Sequence, residues 1–368
     1  MINYGIVIDE YSPRRKYIMK KRLNFLASNL SGKGGTETVL ITVLNNLIKN
    51  RDVSLTLIDE PQDKNWLQKL DDKVSVNIYT GNNLVSKIWF IMKIFIFEKD
   101  TNYISLSPSL ILIANKVRKL CNKKYKIISW IHFSLKNQDM FDPGKLVNAD
   151  GHLAISSVIR EQLLELGVKS DEIMTIFNPI ERHNSIPEVK KENYLNLFYA
   201  GRMTFDGQKN ISELLSGISK IKGINYHLDM YGSGEDLEKC KEYGKKLGIN
   251  GNITWHGWTK NLWEEINVRP SALVMSSKYE GLPMIMLESI SRGIPVVTTK
   301  FDGYEDIVKE GVNGYTYKSG NIEELGQKII KISVQKISTK DIQDSIGNYY
   351  TENYFKNLEN ALAKLERI

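Results

Sequence analysis

The 368-residue chain is 42% hydrophobic and 25% charged, the balance of a globular protein with room for two ordinary domains. Its 50 Lys and Arg outweigh 43 Asp and Glu, giving +7 and a pI near 9.0, which suits anionic partners such as nucleotide diphosphates, phospholipid surfaces or phosphorylated glycans. No zinc-finger spacing, RNP-type aromatic motif or basic zipper is present, so nucleic acid is not expected as a partner.

Residues 1–21 read as a basic extension, with Arg14, Arg15, Lys16, Lys20 and Lys21 leading into Arg22. It is a solvated arm or one drawn to an anionic membrane surface. Asp9, Glu10 and Pro13 interrupt any signal-peptide core. The first strand is expected at Leu23–Ala27. The Gly-rich stretch Ser31–Glu37 follows, then an apolar-periodic helix over Val39–Ile48. Such a turn lets backbone amides such as those of Gly34 and Gly35 approach a phosphate; a simple tight turn is the alternative. It differs from a P-loop because Gly34, rather than Ser or Thr, follows Gly32-Lys33, so the magnesium ligand is missing. Val53–Ile58 reads as the second strand. Leu84–Phe97 reads as a core helix or one lying on a membrane interface, carrying Lys87 and Lys93. The longest apolar run, Ile88–Phe97, is broken by Lys93 and too short to cross a bilayer. Ile104–Leu106 and Lys126–Trp130 read as further strands, the latter placing His132 at a carboxyl end where ligands bind. A strand at Asp150–Ser156, a helix over Val158–Leu166 and a strand at Ile173–Phe177 lead to Asn178-Pro179. Residues 181–193, polar with Pro187, read as a linker.

The second half opens on Leu195–Ala200, then Gly201-Arg202 and Gln208-Lys209-Asn210 before a helix from Ile211. Arg202 offers a fork for paired phosphate oxygens and Lys209 a point charge; solvated surface charge is the plainer alternative. Strands at Tyr226–Met230 and Ile253–Trp258 follow, the first ending in Gly232-Ser233-Gly234 and the second in Gly257-Trp258. Ser271–Lys300 then reads as a parallel strand–helix–strand unit. Its parts are a strand at Ala272–Met275, a helix with Pro283 in its first turn ending at Gly293, and a strand at Ile294–Val297. Glu280-Gly281-Leu282-Pro283-Met284 falls at the carboxyl end of the first strand. Glu280 and Glu288 flank the loop with seven residues between them, either as a binding pair or as exposed helix-end carboxylates. Later helices are expected from Asn321 and over Tyr349–Arg367. Cys121 and Cys240 lie far apart, so a reduced compartment is expected. The five histidines are scattered with no metal-ligand spacing, and no Asp-x-Asp occurs.

The Glu–x7–Glu pair around a Gly-x-Pro turn resembles the signature of retaining glycosyltransferases of family 4, which have the GT-B fold. The Gly-Gly-x-Glu loop at Gly34-Gly35-Thr36-Glu37, the Ile176-Phe177-Asn178-Pro179 junction and the Gly201-Arg202…Lys209-Asn210 motif resemble that family as well. Within it, Ser129–Leu135, His152–Ser157 and Gly201–Lys209 are most similar to lipopolysaccharide-core α-1,6-galactosyltransferases. Pro283-Met284 departs from the Gly-Leu or Gly-Ile of many relatives, which bears on which sugar hydroxyls the loop amides reach.

The resemblance implies two Rossmann-like domains facing across a cleft: an acceptor domain at 22–180 and a donor domain at 194–345. Residues 346–368 would form a helix crossing back to the first domain. Glu280 and His132 would face the donor sugar, Arg202 and Lys209 would hold its pyrophosphate, and Glu288 would bind the ribose. Gly34, Gly35, Gly232, Trp258, Gly281, Leu282, Pro283 and Met284 would complete donor binding. The implied activity is metal-independent transfer of galactose or glucose from a UDP-sugar to a lipid-linked or cell-surface glycan. No cofactor is implied, and the enzyme would be cytoplasmic, peripheral on the inner face of the cell membrane. The rivals are a P-loop-like nucleotide-binding protein and a non-catalytic, glycosyltransferase-like accessory subunit.

Overall fold

A computed structural model describes residues 21–28, 30–32, 34–136, 138–187, 194–335 and 337–367. The basic arm before Lys21 and linker residues 188–193 lie outside them. Within the described residues, Arg22 already belongs to the first strand and Lys21 donates to the Lys124 carbonyl at 3.0 Å, so neither is part of a free arm.

The first sheet contains β1 (Arg22–Ala27), β2 (Val53–Leu57), β3 (Ser75–Ile78), β4 (Thr101–Ser105), β5 (Ile127–Ser129), β6 (Gly151–Ala154) and β7 (Ile173–Thr175). Their order is β3-β2-β1-β4-β5-β6-β7, parallel throughout. The second contains β8 (Tyr194–Ala200), β9 (Asn225–Tyr231), β10 (Ile253–Gly257), β11 (Ala272–Val274), β12 (Val296–Thr299) and β13 (Gly314–Tyr317). These stand in the order β10-β9-β8-β11-β12-β13, again parallel. The central strands are buried on both faces, as in Leu23–Ala27 and Val296–Thr299, which follows from helices covering each side of a parallel sheet. β3 was not legible: its Ser-Val-Asn-Ile is a half-exposed edge with no apolar run to announce it.

The helices are α1 (Gly35–Leu47), α2 (Leu84–Phe97), α3 (Pro108–Leu120), α4 (Ser157–Glu165), α5 (Ile211–Ile218), α6 (Leu237–Lys246), α7 (Leu262–Glu265), α8 (Met284–Ser291), α9 (Ile322–Val334), α10 (Thr339–Asp344) and α11 (Thr351–Leu365). Asn83 and Asn321 cap α2 and α9 through their side-chain oxygens. Pro283 is not in the first turn of α8 but is its N-cap, at φ −72° and ψ 104°, because its extended ψ turns the loop into the helix. Gly293 ends α8 with φ +76°, and a Cβ there would sit 2.2 Å from Thr339 Cγ2; only glycine combines that conformation with that contact.

The two halves share one apolar cluster. α11 delivers Tyr354, Leu358, Leu362 and Leu365 to the core of the first half. Beyond its end, Glu366 pairs with Arg51 and accepts from Asn102 at 3.3 Å. Ile180 exchanges backbone hydrogen bonds with Tyr349 and Thr351 at 2.8 and 3.1 Å. The last helix thus packs on the first half. α2, read as a core helix or an interfacial one, is part core and part surface. Phe95 is 1% exposed, Phe90 is half-buried against Tyr79, and Lys87 is paired with Asp59. The exposed apolar groups are Leu84, Val85, Ile88, Trp89 and Phe97.

Candidate active site

In each sheet the chain reverses its direction of winding once, between β1 and β4 and between β8 and β11. Crevices at the carboxyl ends of such strands are where open α/β sheets take ligands. The Gly-rich loop follows β1. Gly201-Arg202 follows β8 and Ser276–Glu280 follows β11, so the charged residues singled out in the second half come from adjacent strands.

Those two strand ends are knitted together. Asn210 takes a left-handed conformation at φ 51° and begins α5, which asparagine tolerates better than most residues. The Ser276 hydroxyl bonds the Lys209 and Asn210 carbonyls at 2.9 and 2.8 Å. The Lys278 amide donates to the Gln208 carbonyl at 2.8 Å. This aims Lys209 at Glu280, with Nζ 2.5 Å from Oε1. Gln208 Nε2 donates to the Tyr279 carbonyl at 3.0 Å and approaches Glu280 Oε2 at 3.4 Å. Glu280 is 8% exposed, so it is not a solvated helix-end carboxylate: the pair is desolvated, and a fixed ammonium and carboxylate point at one place. Arg202 is exposed, with no side-chain partner among the described residues. Its carbonyl accepts from the buried Tyr199 hydroxyl at 2.8 Å. Gly232 is obligatory: it sits at φ +131°, and a Cβ would lie 1.9 Å from the Gly201 carbonyl oxygen.

Glu288 stands apart from that pair. It lines a cavity of about 550 Å³ with Gly34, Gly35, Ala200, Trp263 and Met284, so the cavity lies between the halves and draws on the first turns of α1 and α8. Gly35 faces Met284 closely; an added Cβ would be 3.1 Å from Met284 Cγ. Glu288 Oε2 accepts from the Trp263 indole N–H at 2.8 Å. Arg292 lies over the Trp263 ring at 4.1 Å from its centroid and donates to the Glu288 carbonyl at 2.9 Å. Burial pushes the Glu288 carboxyl above its usual range, while the indole bond and Arg292 act against that rise. Burial also lowers the Arg292 guanidinium to about 10.

In the Gly-rich loop, part of the amide array is already engaged. Glu37 is buried, and its carboxylate takes the Gly32 amide at 2.6 Å and the Gly34 amide at 3.0 Å. Two donors a phosphate would need are therefore already satisfied from within the chain. That arrangement leaves fewer free amides than a P-loop presents to a phosphate.

His132 follows β5 and touches the loop after β11: a Cβ on Gly281 would be 3.0 Å from the His132 carbonyl oxygen. Its ring packs edge-on to Trp130 at 4.4 Å, with Nε2 buried and unpaired among the described residues. Burial lowers its pKa to about 3, so the imidazole is neutral at physiological pH and can accept or donate one proton-bearing contact without carrying charge. Leu282 and Pro283 are buried beneath the same loop. Trp258 is 51% exposed and does not line the cavity. Trp263 does, and sequence reading missed it: a lone aromatic in the polar run Lys260-Asn261-Leu262-Trp263-Glu264-Glu265 was the available signal. Among the described residues no group of three or more His, Cys, Asp or Glu is placed to hold a metal ion.

Comparison with known proteins gives the family and the fold. Residues 181–349 match the family model described as glycosyl transferases group 1. The lipopolysaccharide 1,6-galactosyltransferase of Escherichia coli K12 is 33% identical over 353 residues, covering 93% of this chain and 98% of that protein. Its Salmonella typhimurium LT2 counterpart is 30% identical over 365 residues, covering 94% and 100%. The solved structure of apo WaaB, a lipopolysaccharide outer core galactosyltransferase, superposes with a TM-score of 0.81 at 29% identity, over 93% of this chain and 99% of that one. The Anabaena HepE structure with UDP-glucose gives 0.75 at 15% identity, over 95% and 100%, a likeness of fold alone. With two parallel α/β units meeting at a cleft and full-length relatives of this kind, the chain belongs to the group 1 glycosyl transferases and has a GT-B-like fold.

Proposed function

We propose that this glycosyltransferase moves a hexose, galactose or glucose, from a UDP-sugar to a lipid-linked or cell-surface glycan with retention of configuration. The observation that carries the reading is the desolvated Lys209–Glu280 pair, together with the exposed Arg202 at the end of β8, which has no side-chain partner among the described residues. Arg202 and Lys209 are cations placed for a pyrophosphate leaving group, and Glu280 is an anion placed for positive charge developing at the sugar carbon. In the transfer, the bond from the anomeric carbon to the phosphate oxygen breaks. A bond to the acceptor hydroxyl oxygen forms on the same face. The hydroxyl proton leaves with the departing UDP. Neutral His132 would line the sugar pocket beside Gly281, and Glu288 would accept the ribose hydroxyls. Fixed cations take the place of a divalent metal, so the reaction needs none. The full-length galactosyltransferase relatives favour galactose and a lipopolysaccharide-like acceptor.

The reading extends to a peripheral position at the inner face of the cell membrane. Leu84, Val85, Ile88, Trp89 and Phe97 leave an apolar stripe of α2 uncovered. Exposed Lys93 lies within it, and Lys123 donates to the Ile96 carbonyl at its end. An apolar stripe bordered by lysines is complementary to an anionic bilayer surface.

The test is a thermal-shift and calorimetric panel of UDP-, GDP-, ADP- and TDP-sugars. UDP-galactose or UDP-glucose should stabilise the protein by about 2.7 kcal/mol at a hundredfold excess over Kd. Stabilisation by magnesium-ATP alone would favour the P-loop rival. Binding of UDP-sugar with no turnover against any acceptor or water would favour an accessory subunit.

A further inference from the structure

We infer that Trp263 is a positioning residue for nucleoside recognition: its indole N–H holds one oxygen of Glu288 so that the other faces the cavity and takes a ribose diol. The inference rests on the reading of Glu288 as the ribose-binding carboxylate.

Trp263 sits on α7, four residues long and without a buried residue. So short a helix cannot fix a side chain by itself. Contacts from two other elements do so. The Phe198 ring of β8 meets the indole edge-on at 6.0 Å and 77°. The Arg292 guanidinium, just past α8, covers one face at 4.1 Å. The third contact is the hydrogen bond to Glu288 Oε2 at 2.8 Å. Arg292 closes the circuit by donating to the Glu288 carbonyl.

The second Glu288 oxygen has no partner among the described residues, and Glu288 and Trp263 line the same cavity. A carboxylate with both oxygens free could rotate, and one this buried drifts toward its protonated form. The indole bond opposes both: it fixes the torsion and favours the ionised state. An ionised oxygen can accept from two adjacent hydroxyls, whereas a protonated carboxyl would spend its proton on one of them.

The decisive substitution removes the N–H and keeps the ring. Trp263→Phe does this approximately, and β-(3-benzothienyl)alanine incorporated at position 263 does it with the shape intact. The second substitution covers the case in which Phe disturbs folding. UDP and 2′,3′-dideoxy-UDP are titrated by calorimetry into wild type, both position-263 variants, Glu288→Gln and the double variant. Wild type should prefer UDP. Loss of the indole donor should weaken UDP about tenfold and narrow the preference. The double variant should be no worse than Glu288→Gln alone, because the two groups act as one unit. The acid limb of UDP affinity should also move to higher pH in the benzothienyl variant, since an unassisted Glu288 protonates more easily; a purely structural tryptophan would leave it in place. If the benzothienyl variant matches wild type while Glu288→Gln loses affinity and preference, the role of Trp263 is overturned and that of Glu288 stands. If Glu288→Gln itself keeps affinity and preference, the ribose reading fails. Tighter UDP binding without the N–H would make the indole a competitor of the nucleotide and overturn the inference.

Discussion

Glu280→Gln isolates the charge of the candidate catalytic carboxylate from its packing. In the native site Oε1 takes Lys209 Nζ at 2.5 Å, while Gln208 Nε2 stands 3.4 Å from Oε2. Glutamine has the same size and its amide oxygen can keep the lysine bond; its amide nitrogen gives up only the long 3.4 Å approach of Gln208, whose 3.0 Å bond to the Tyr279 carbonyl is kept. Alanine would instead strand a desolvated ammonium, an event that costs about 3–5 kcal/mol in stability where pairs are fully buried. The glutamine variant should therefore fold as wild type does. It loses the fixed anion facing developing positive charge, worth about 10²–10³ in kcat, or roughly 2.7–4 kcal/mol. UDP affinity should hold or rise slightly, because Lys209 is released from its carboxylate toward the pyrophosphate. The assay is UDP release from UDP-galactose and UDP-glucose at saturating donor, with UDP titration and urea unfolding as controls. A kcat within about threefold of wild type would refute the role. So would a parallel collapse of UDP binding, which would make Glu280 a ground-state binding group.

Activity should survive EDTA, since Arg202 and Lys209 supply fixed charge; complete loss restored by manganese would contradict the mechanism. Trp89→Asp should abolish salt-sensitive flotation with anionic vesicles while leaving the fold intact, because Trp89 is 60% exposed; equal recovery of variant and wild type would remove α2 as the docking helix. Gly232→Ala should cost about 3 kcal/mol or more in urea unfolding, from backbone strain and the clash with the Gly201 carbonyl, and unchanged stability would contradict the close approach of β8 and β9. Burial lowers His152 to about 4, so between its unfolded pKa near 6.5 and that value the unfolded chain binds the extra proton. Stability should accordingly fall with falling pH by about 1.4 kcal/mol per unit from this residue. His152→Asn should flatten the urea-unfolding profile by that slope, and parallel profiles would refute it.

What the sequence revealed was local. Glu280, Arg202, Lys209 and the Gly-rich loop were visible because each follows a strand with an apolar run and a glycine break, and α8 was bounded by Pro283 and Gly293. What it hid was pairing across distance. Lys209 meets Glu280 over 71 positions, and Trp263 meets Glu288 from a different element; no periodicity encodes either contact. The Gly-rich loop hid a contact of the same kind: its Gly32 and Gly34 amides take the chain's own Glu37, which only the turn geometry shows. α2 misled because LVSKIWFIMKIFIF is apolar on nearly every face, so spacing could not separate the buried Phe95 from the exposed Trp89.

The claim that most of this rests on is retaining hexosyl transfer from a UDP-sugar at the Glu280–Lys209 site. Proton NMR of the anomeric centre in the first moments of UDP-α-galactose and UDP-α-glucose turnover, with a glycan acceptor or with water, tests it most directly. The predicted product is the α-anomer, formed before mutarotation and strongly diminished in Glu280→Gln. A β-anomer as the first product, or wild-type rates in the variant, would contradict it.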